Sequence, residues 1–180
     1  MAREIELKAR VDDYRVLMDR INAIAGISQP VAEHKADIYF SRPGEKKHFR
    51  VRLQDDCVVI TSKTKEKRND GTEDNHEVEF GTDVESYPRV LAFFSSLGFE
   101  EFIRKEKTGW LWSLGKVAVE LVQVGPLGWF IEMEIVLGDD ASDADVLRAK
   151  SELFELLGRL GIGREKLEDR YYMDLLRKQV

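Results

Sequence analysis

The sequence predicts an α+β protein: a closed antiparallel β-barrel (a tunnel) of about eight strands, with helices packed outside. Three observations lead there. Strand-length stretches recur along the chain and alternate charged with apolar residues. Stretches of helical spacing fall between them, each with one apolar stripe. The strands are joined by short turns, which favour antiparallel neighbours.

The first strand is "EIELKARV" at 4–11. Side chains alternate across a strand, so Glu4, Glu6 and Lys8 share one face and Ile5, Leu7 and Ala9 the other. A helix follows over 12–25, with Asp12 or Asp13 as N-cap and Gly26 at its end. Its stripe is Tyr14, Leu17, Met18, Ile21 and Ile24. Then come "ADIYFSR" (36–42), "KHFRVRL" (47–53), "CVVITSK" (57–63) and "NHEVEFGT" (75–82). Turn chemistry separates them: "RPGE" at 42–45, "QDD" at 54–56 and "NDG" at 69–71. A second helix spans 84–97 with Val84, Val90, Leu91, Phe94 and Leu97, and stops at Gly98. The strand pattern resumes in "EEFIRKEK" (100–107), "GWLWSL" (109–114), "KVAVELVQV" (116–124) and "WFIEMEIVL" (129–137), with "GPLG" turning at 125–128. A third helix spans 143–160 with Val146, Leu147, Leu153, Phe154, Leu157 and Leu160, and stops at Gly161. A final helix is expected from about 164 to 178, with Leu167, Tyr171, Leu175 and Leu176. No repeat, low-complexity tract or long linker interrupts the series, so one domain over residues 1–180 is expected.

A chain of 180 residues can bury a sizeable core. A net charge of −6 argues against a general binder of nucleic-acid polymers or anionic membranes, without excluding a local basic pocket. No apolar run approaches membrane-helix length, and the chain enters a strand pattern with no apolar leader segment. The one cysteine, Cys57, sits beside Val58 and Val59 and reads as a small buried hydrophobe. A lone thiol excludes an internal disulfide framework and fits a reducing cytoplasmic location.

Charged pairs at i, i+2 recur: Arg50 and Arg52, Glu77 and Glu79, Lys105 and Lys107, Glu132 and Glu134. Lys63 and Glu120 sit mid-strand in apolar company. A plain antiparallel sheet with one wet face accounts for any one of these strands. The set resists that account. The charged faces are almost all Glu, Lys and Arg, and the helical stripes need an apolar sheet face to cover. About nine strand-like stretches in so short a chain also favour closure. With helices outside a closed sheet, the charged parity points inward. Unpaired interior charge is costly, and here the signs offset. Acids beside bases suit an anionic ligand that carries hard cations. Carboxylates take Mg²⁺ or Mn²⁺, whereas Lys and Arg take phosphate oxygens. A triphosphate with one or two divalent ions meets that description.

These residues resemble the CYTH superfamily, the triphosphate tunnel metalloenzymes, which includes class IV adenylate cyclases, thiamine triphosphatases and inorganic triphosphatases. "EIELK" (4–8) resembles its ExExK signature, and "ADIYF" (36–40) its DxYF strand. "RVR" (50–52), "ITSK" (60–63) and "EVE" (77–79) follow in the expected order. "LGFEEFIRKEK" (97–107) is similar to the segment carrying a K-x-R pair. "VELVQVGPLGWFIEMEI" (119–135) is similar to the strand-turn-strand ending in E-x-E, and "RYYMDLL" (170–176) to the closing S-Y-x-x-L-L. The resemblance implies metal ligation by Glu4, Glu6, Glu120, Glu132 and Glu134, and phosphate binding by Lys8, Arg50, Arg52, Lys63, Lys105 and Lys107. Glu4, Glu6, Lys8, Lys63, Lys105, Glu132 and Glu134 form the implied catalytic set. Glu120 stands where the family usually has Asp, and Lys107 where it usually has Arg; the lysine keeps the charge and loses the fork.

The implied reaction is metal-assisted phosphoryl or nucleotidyl transfer with one or two Mg²⁺ or Mn²⁺ ions. The length, "QVGPLGWFIEME" and "YYMDLL" resemble the class IV cyclase branch, which implies conversion of ATP to cyclic AMP and pyrophosphate. The alternative is a triphosphatase acting on tripolyphosphate or thiamine triphosphate. A rival of another class is a non-catalytic polyphosphate- or nucleotide-binding module; a third is a scaffold with a salt-bridged sheet. A homodimer is a family-level expectation. Glu77 and Glu79 are expected to partner the bases, and Lys65, Lys67 and Arg68 to form a solvated charge run. His34, His48 and His76 lack metal-ligand spacing and are expected at the surface or in turns. Trp110, Trp112 and Trp129 are expected as wall or cover aromatics. There is no Walker loop, no G-x-G-x-x-G and no legible Ser-His-Asp set.

Overall fold

Alternation of charge and grease produces eight strands that close on themselves. The computed structural model describes residues 2–45, 48–54, 56–67, 71–138 and 140–178. The strands are β1 (Ala2–Val11), β2 (Val31–Ser41), β3 (His48–Gln54), β4 (Cys57–Lys67), β5 (Glu73–Asp83), β6 (Glu100–Leu114), β7 (Val117–Val124) and β8 (Trp129–Leu137). They form a closed barrel in the order β1-β5-β4-β3-β2-β6-β7-β8, and every neighbouring pair is antiparallel. Register fixes the two faces. Glu6 opposes Glu134 and Lys8 opposes Glu132, so one parity carries the charges, while Ile5 opposite Ile135 and Leu7 opposite Met133 carry the grease.

The apolar parity faces outward, under helices. Helices α1 (Tyr14–Asn22) and α3 (Asp143–Arg159) cover β1, β7 and β8. Leu17, Ile21, Val146, Ala149, Leu153 and Leu157 pack there against Ile5, Leu7, Val119, Leu121, Ile131 and Met133. Caps set both helix starts: Asp13 accepts from the Arg15 and Val16 amides, and Ser142 with Asp145 forms a capping box. Helix α2 (Tyr87–Ser96) covers β2, β3 and β4 through Val90, Leu91 and Phe94, against Ile38, Phe40, Val51, Val58 and Ile60. The outer face of β5 has no such cover: Val78 and Phe80 are 55% and 61% exposed. No helix among the described residues is long and apolar enough to cross a membrane.

Several expectations are corrected. The stretches at 100–107 and 109–114 are one 15-residue strand, β6. Gly109 lets it run through, since a β-carbon there would collide with the Leu121 carbonyl. β2 begins at Val31 rather than 36. The expected final helix is instead a 3₁₀ turn at Arg164–Lys166, an isolated bridge of Leu167 to Ala9, and a short helix α4 (Tyr172–Arg177). There the Glu168 amide donates to the Lys8 carbonyl at 2.8 Å, and Glu168 is clamped by Arg10 and Arg170. These contacts hold the segment extended against β1 where its spacing alone suggested a helix. Cys57 is exposed, not buried, because it sits at the β3–β4 hairpin end opposite Gln54. The three histidines are strand residues rather than turn residues: His34 is exposed on β2, as expected of a surface position, whereas His76 on β5 and His48 at the start of β3 are half-buried. Trp112 is fully buried and donates to Asn22 at 3.0 Å, while Trp110 and Trp129 stack with Tyr14 over the outer core. Arg68, Asn69, Asp70 and the side chains of Lys65 and Lys67 lie outside the described residues.

Candidate active site

Inside the barrel lies a cavity of about 300 Å³. It is lined by Glu4, Glu6, Arg50, Arg52, Lys63, Glu77, Glu79, Lys105, Lys107, Glu120, Glu132 and Glu134, together with several aromatic side chains. Of the sequence-derived candidates, only Lys8 is absent from that lining. It is buried on the same inner face and donates to the Arg170 carbonyl at 2.7 Å.

The charges sort into three groups. The first surrounds Lys63, whose ammonium lies 2.8 Å from Glu77, 3.2 Å from Glu4 and 3.6 Å from Glu6. Lys63 is held protonated: burial opposes its charge, and Glu6, Glu77 and Glu4 overcome that. Glu134 adds another acid, and burial, then Glu4 and Glu6, push it up to about 8. Glu4 is pushed up to about 7 by burial, with Lys63 opposing and Glu77 adding to the rise. This group is rich in carboxylates and short of cations.

The second group centres on Asp37, which is almost fully buried on β2. Arg52 donates to it twice, at 2.7 and 3.1 Å, and Lys105 lies 2.9 Å away. Burial pushes Asp37 up, but Lys105 and Arg52 overcome it and hold it well below the usual carboxylate range. Lys105 also donates to the Tyr39 hydroxyl at 3.2 Å. Beside them Arg50 donates to Thr61 at 3.0 Å, and Thr61 to Glu79 at 2.8 Å.

The third group links Glu33, Lys35, Glu120, Lys107 and Glu132. Lys35 lies 2.8 Å from Glu33 and 2.7 Å from Glu120. Lys107 lies 3.4 Å from Glu120 and makes a close pair with Glu132. Burial alone would raise Glu132, yet Lys107, Lys8 and Lys105 hold it ionised far below its ordinary range. Tyr172 of α4 closes this end. Its ring lies 4.6 Å from the Lys8 ammonium, 5.2 Å from Lys105 and 5.5 Å from Lys107, and packs edge-on against Phe130.

Sequence reading missed Glu33, Lys35, Asp37, Tyr39, Thr61 and Tyr172 as site residues. A signal existed for the first three, since Glu33, Lys35 and Asp37 continue the inward charged parity. A strand begun at residue 36 leaves out Glu33 and Lys35, and Asp37 then stands as a lone charge among apolar neighbours. Tyr172 had no parity signal, only its place as the tyrosine of the "RYYMDLL" match, because the chain's return across the barrel end is what brings it inside.

The five acids read as metal ligands are divided by the fold: Glu4, Glu6 and Glu134 border Lys63, and Glu120 and Glu132 border Lys107. Among the described residues no three acidic, histidine or cysteine side chains already converge as a metal cage. The donor chemistry of the first group nonetheless fits a hard divalent cation: three all-oxygen donors whose mutual repulsion a 2+ charge would relieve.

The CYTH domain family model matches residues 2–172. A relative from Methanocaldococcus jannaschii, named "Putative adenylate cyclase MJ0240", is 24% identical over 96% of this chain and 97% of its own. The PH1012 protein of Pyrococcus horikoshii OT3 superposes with a TM-score of 0.80 at 27% identity, covering 96% of this chain and 98% of that one. A Hippeastrum protein described as "Putative adenylyl cyclase HpAC1", with a dominant triphosphatase activity, superposes with a TM-score of 0.72 at 16% identity, covering 99% of this chain and 96% of that one. At that identity the likeness is one of fold. A match of this extent, over a barrel whose charged parity lines its own axis, establishes that the chain belongs to the CYTH domain family.

Proposed function

We propose that residues 1–180 act as a single triphosphate tunnel domain, a cytoplasmic divalent-metal-dependent enzyme with a triphosphate substrate. The observation that carries this reading is the division of the lining into a carboxylate-rich group around Lys63 and cation-bearing groups around Asp37 and Lys107. Glu4, Glu6 and Glu134 would hold Mg²⁺ or Mn²⁺, with Glu132 and Glu120 available to a second ion. A bound ion would supply charge neutralisation and orientation of phosphate oxygens.

The protein's own residues do the rest. Arg50 and Arg52 present guanidinium forks, and Lys63, Lys105 and Lys107 ammonium groups, from several sides of one cavity, with Lys8 buried behind it on the same inner face. Arg50, Arg52, Lys63, Lys105 and Lys107 are each paired with neighbouring acids. A phosphate chain would take over that pairing without the site gathering new charge, which is electrostatic preorganisation. Asp37 keeps Arg52 and Lys105 aimed inward throughout.

The first reading is adenylate cyclisation: the ribose 3′-oxygen of ATP attacks the α-phosphorus, the bond to the β-phosphate bridge breaks, and pyrophosphate leaves. The naming of the M. jannaschii relative supports it. The second is hydrolysis: water attacks the terminal phosphorus of tripolyphosphate or thiamine triphosphate, the bond from that phosphorus to the bridging oxygen breaks, pyrophosphate or thiamine diphosphate leaves, and the attacked phosphorus is released as orthophosphate. The activity described for the Hippeastrum protein favours weighing it.

The test is parallel incubation with ATP, tripolyphosphate and thiamine triphosphate, with Mg²⁺ or Mn²⁺ and after chelation. Cyclic AMP with pyrophosphate identifies a cyclase, and orthophosphate a triphosphatase. Metal-dependent binding without turnover identifies the binding module. Glu132→Ala and Glu134→Ala are expected to abolish turnover in folded protein. Full activity of both at saturating metal would remove the ligand assignment.

A further inference from the structure

Lys35 is a buried cation of β2 that neither the metal set nor the phosphate set uses. It stands directly opposite Lys107 in the β2–β6 ladder. Like charges so placed repel. Glu120 of β7 offsets that repulsion: its Oε1 lies 2.7 Å from the Lys35 ammonium and its Oε2 lies 3.4 Å from that of Lys107. Each oxygen of this carboxylate is therefore engaged by a different lysine. Glu33 takes a further side of Lys35 at 2.8 Å, and Lys107 makes its close pair with Glu132. Charge is thus balanced in this group. Glu33, Glu120 and Glu132 face Lys35 and Lys107, and Lys8 and Lys105 also act on Glu132. The group around Lys63 is different: Glu4, Glu6, Glu77 and Glu134 outnumber the described cations there.

We propose that Lys35 takes the place of a second divalent cation beside Glu120, so that the protein alone loads one metal ion, among Glu4, Glu6 and Glu134. The inference rests on the metal reading of the lining and narrows it. A divalent ion entering the group around Lys63 relieves repulsion among carboxylates. One entering beside Glu120 meets two ammonium groups already on that carboxylate. To coordinate Glu120 it must displace Lys35, whose buried charge then faces a 2+ ion with Glu33 as its remaining partner. Removing the Lys35 charge reverses the balance: Glu33 and Glu120 lose the cation between them, and hard oxygen donors are left with one free side. Lys35 is a positioning residue in this account. It fixes a single positive charge where an exchangeable ion could otherwise sit, and it holds Glu120 against Lys107.

The experiment counts Mn²⁺ bound per chain without substrate, by calorimetry and by the electron paramagnetic resonance signal of the free ion. Circular dichroism checks that each variant is folded. Wild type is expected to take up one Mn²⁺. Lys35→Met, which removes the charge and keeps most of the stem, should take up a second at least about tenfold more tightly than any second ion in wild type. Lys35→Gln gives the same reading should the methionine variant fail to fold. Lys35→Arg, which keeps the charge, should stay at one ion. Adding Glu120→Gln to Lys35→Met should abolish the second ion and leave the first. Two Mn²⁺ of similar affinity in wild type overturn the proposal and leave the metal reading standing. So does a single Mn²⁺ in a folded variant that lacks the Lys35 charge. A wild type that binds no Mn²⁺ overturns both.

Discussion

Asp37 and Glu168 are the two carboxylates whose surroundings make the firmest demands. Asp37 has almost no exposed surface and holds two cations, Arg52 and Lys105. Replacing it with Asn leaves both charges buried without a counter-ion. We expect Asp37→Asn to cost about 3–5 kcal/mol in urea denaturation, part of it recovered by added tripolyphosphate, which brings replacement charge. Glu168 accepts from Arg10 at 3.0 Å and from Arg170 at 2.6 Å. Although burial works against its charge, those bonds hold it down at about 2, against 4.5 in an unfolded chain. Its folded value is depressed, so its stabilisation is present in full above about pH 4.5 and is lost as pH falls toward 2. Glu168→Gln should therefore lower Tm by ~3 °C at neutral pH, with the gap closing in acid, as thermal melts across that range will show.

At the scale of elements, β6 and the C-terminal segment decide how the barrel closes. β6 pairs with β2 on one side and β7 on the other, and Gly109 is where it passes close to the β7 backbone. Gly109→Ala should destabilise by about 1–3 kcal/mol, more than its small added volume suggests, because the obstacle is a backbone carbonyl that cannot rotate aside. A melt of the variant that matches the wild type would show that β6 is not constrained there. The C-terminal segment acts differently. It adds no strand to the barrel, yet Tyr172 and Leu175 join Val122 and Val124 of β7 and Phe130 of β8 in a small apolar cluster at the charged interior's end. That cluster excludes water from the side where Lys8, Lys105 and Lys107 gather, and so strengthens their electrostatics.

At the scale of the whole molecule, the grease lies outside the barrel under helices and the charge lies within. A ligand carrying both phosphate and metal should bind only the closed barrel, where these groups meet. At about a hundred times its dissociation constant it should add roughly 2.7 kcal/mol, raising Tm by ~5–10 °C. Metal and polyphosphate together should exceed either alone, which differential scanning fluorimetry can check. A scaffold whose salt bridges are an end in themselves predicts no such shift.

The sequence by itself determined the faces. A period of two is a local property of strands, so Glu4, Glu6, Lys8, Glu132 and Glu134 had to share a side once β1 and β8 formed, and apolar stripes such as Leu17 and Ile21 had to find cover. The ordered charges also made closure and the tunnel legible, and with them the charged part of the cavity lining, though not its aromatic part. What only the tertiary structure decided depends on contacts between residues far apart in the chain. Burial, then Glu4 and Glu6, suppress the ionisation of Glu134, while Glu132, one pleat away, is held ionised by Lys107 from another strand. Cys57 turned out exposed because a hairpin end overrides its apolar neighbours. Residues 164–171 left their helical pattern, which survives only in α4, because pairing with β1 and the Glu168 clamp outweighed a weak local preference. Local periodicity sets which way a side chain points, but what it meets there is fixed by the register of eight strands acting at once.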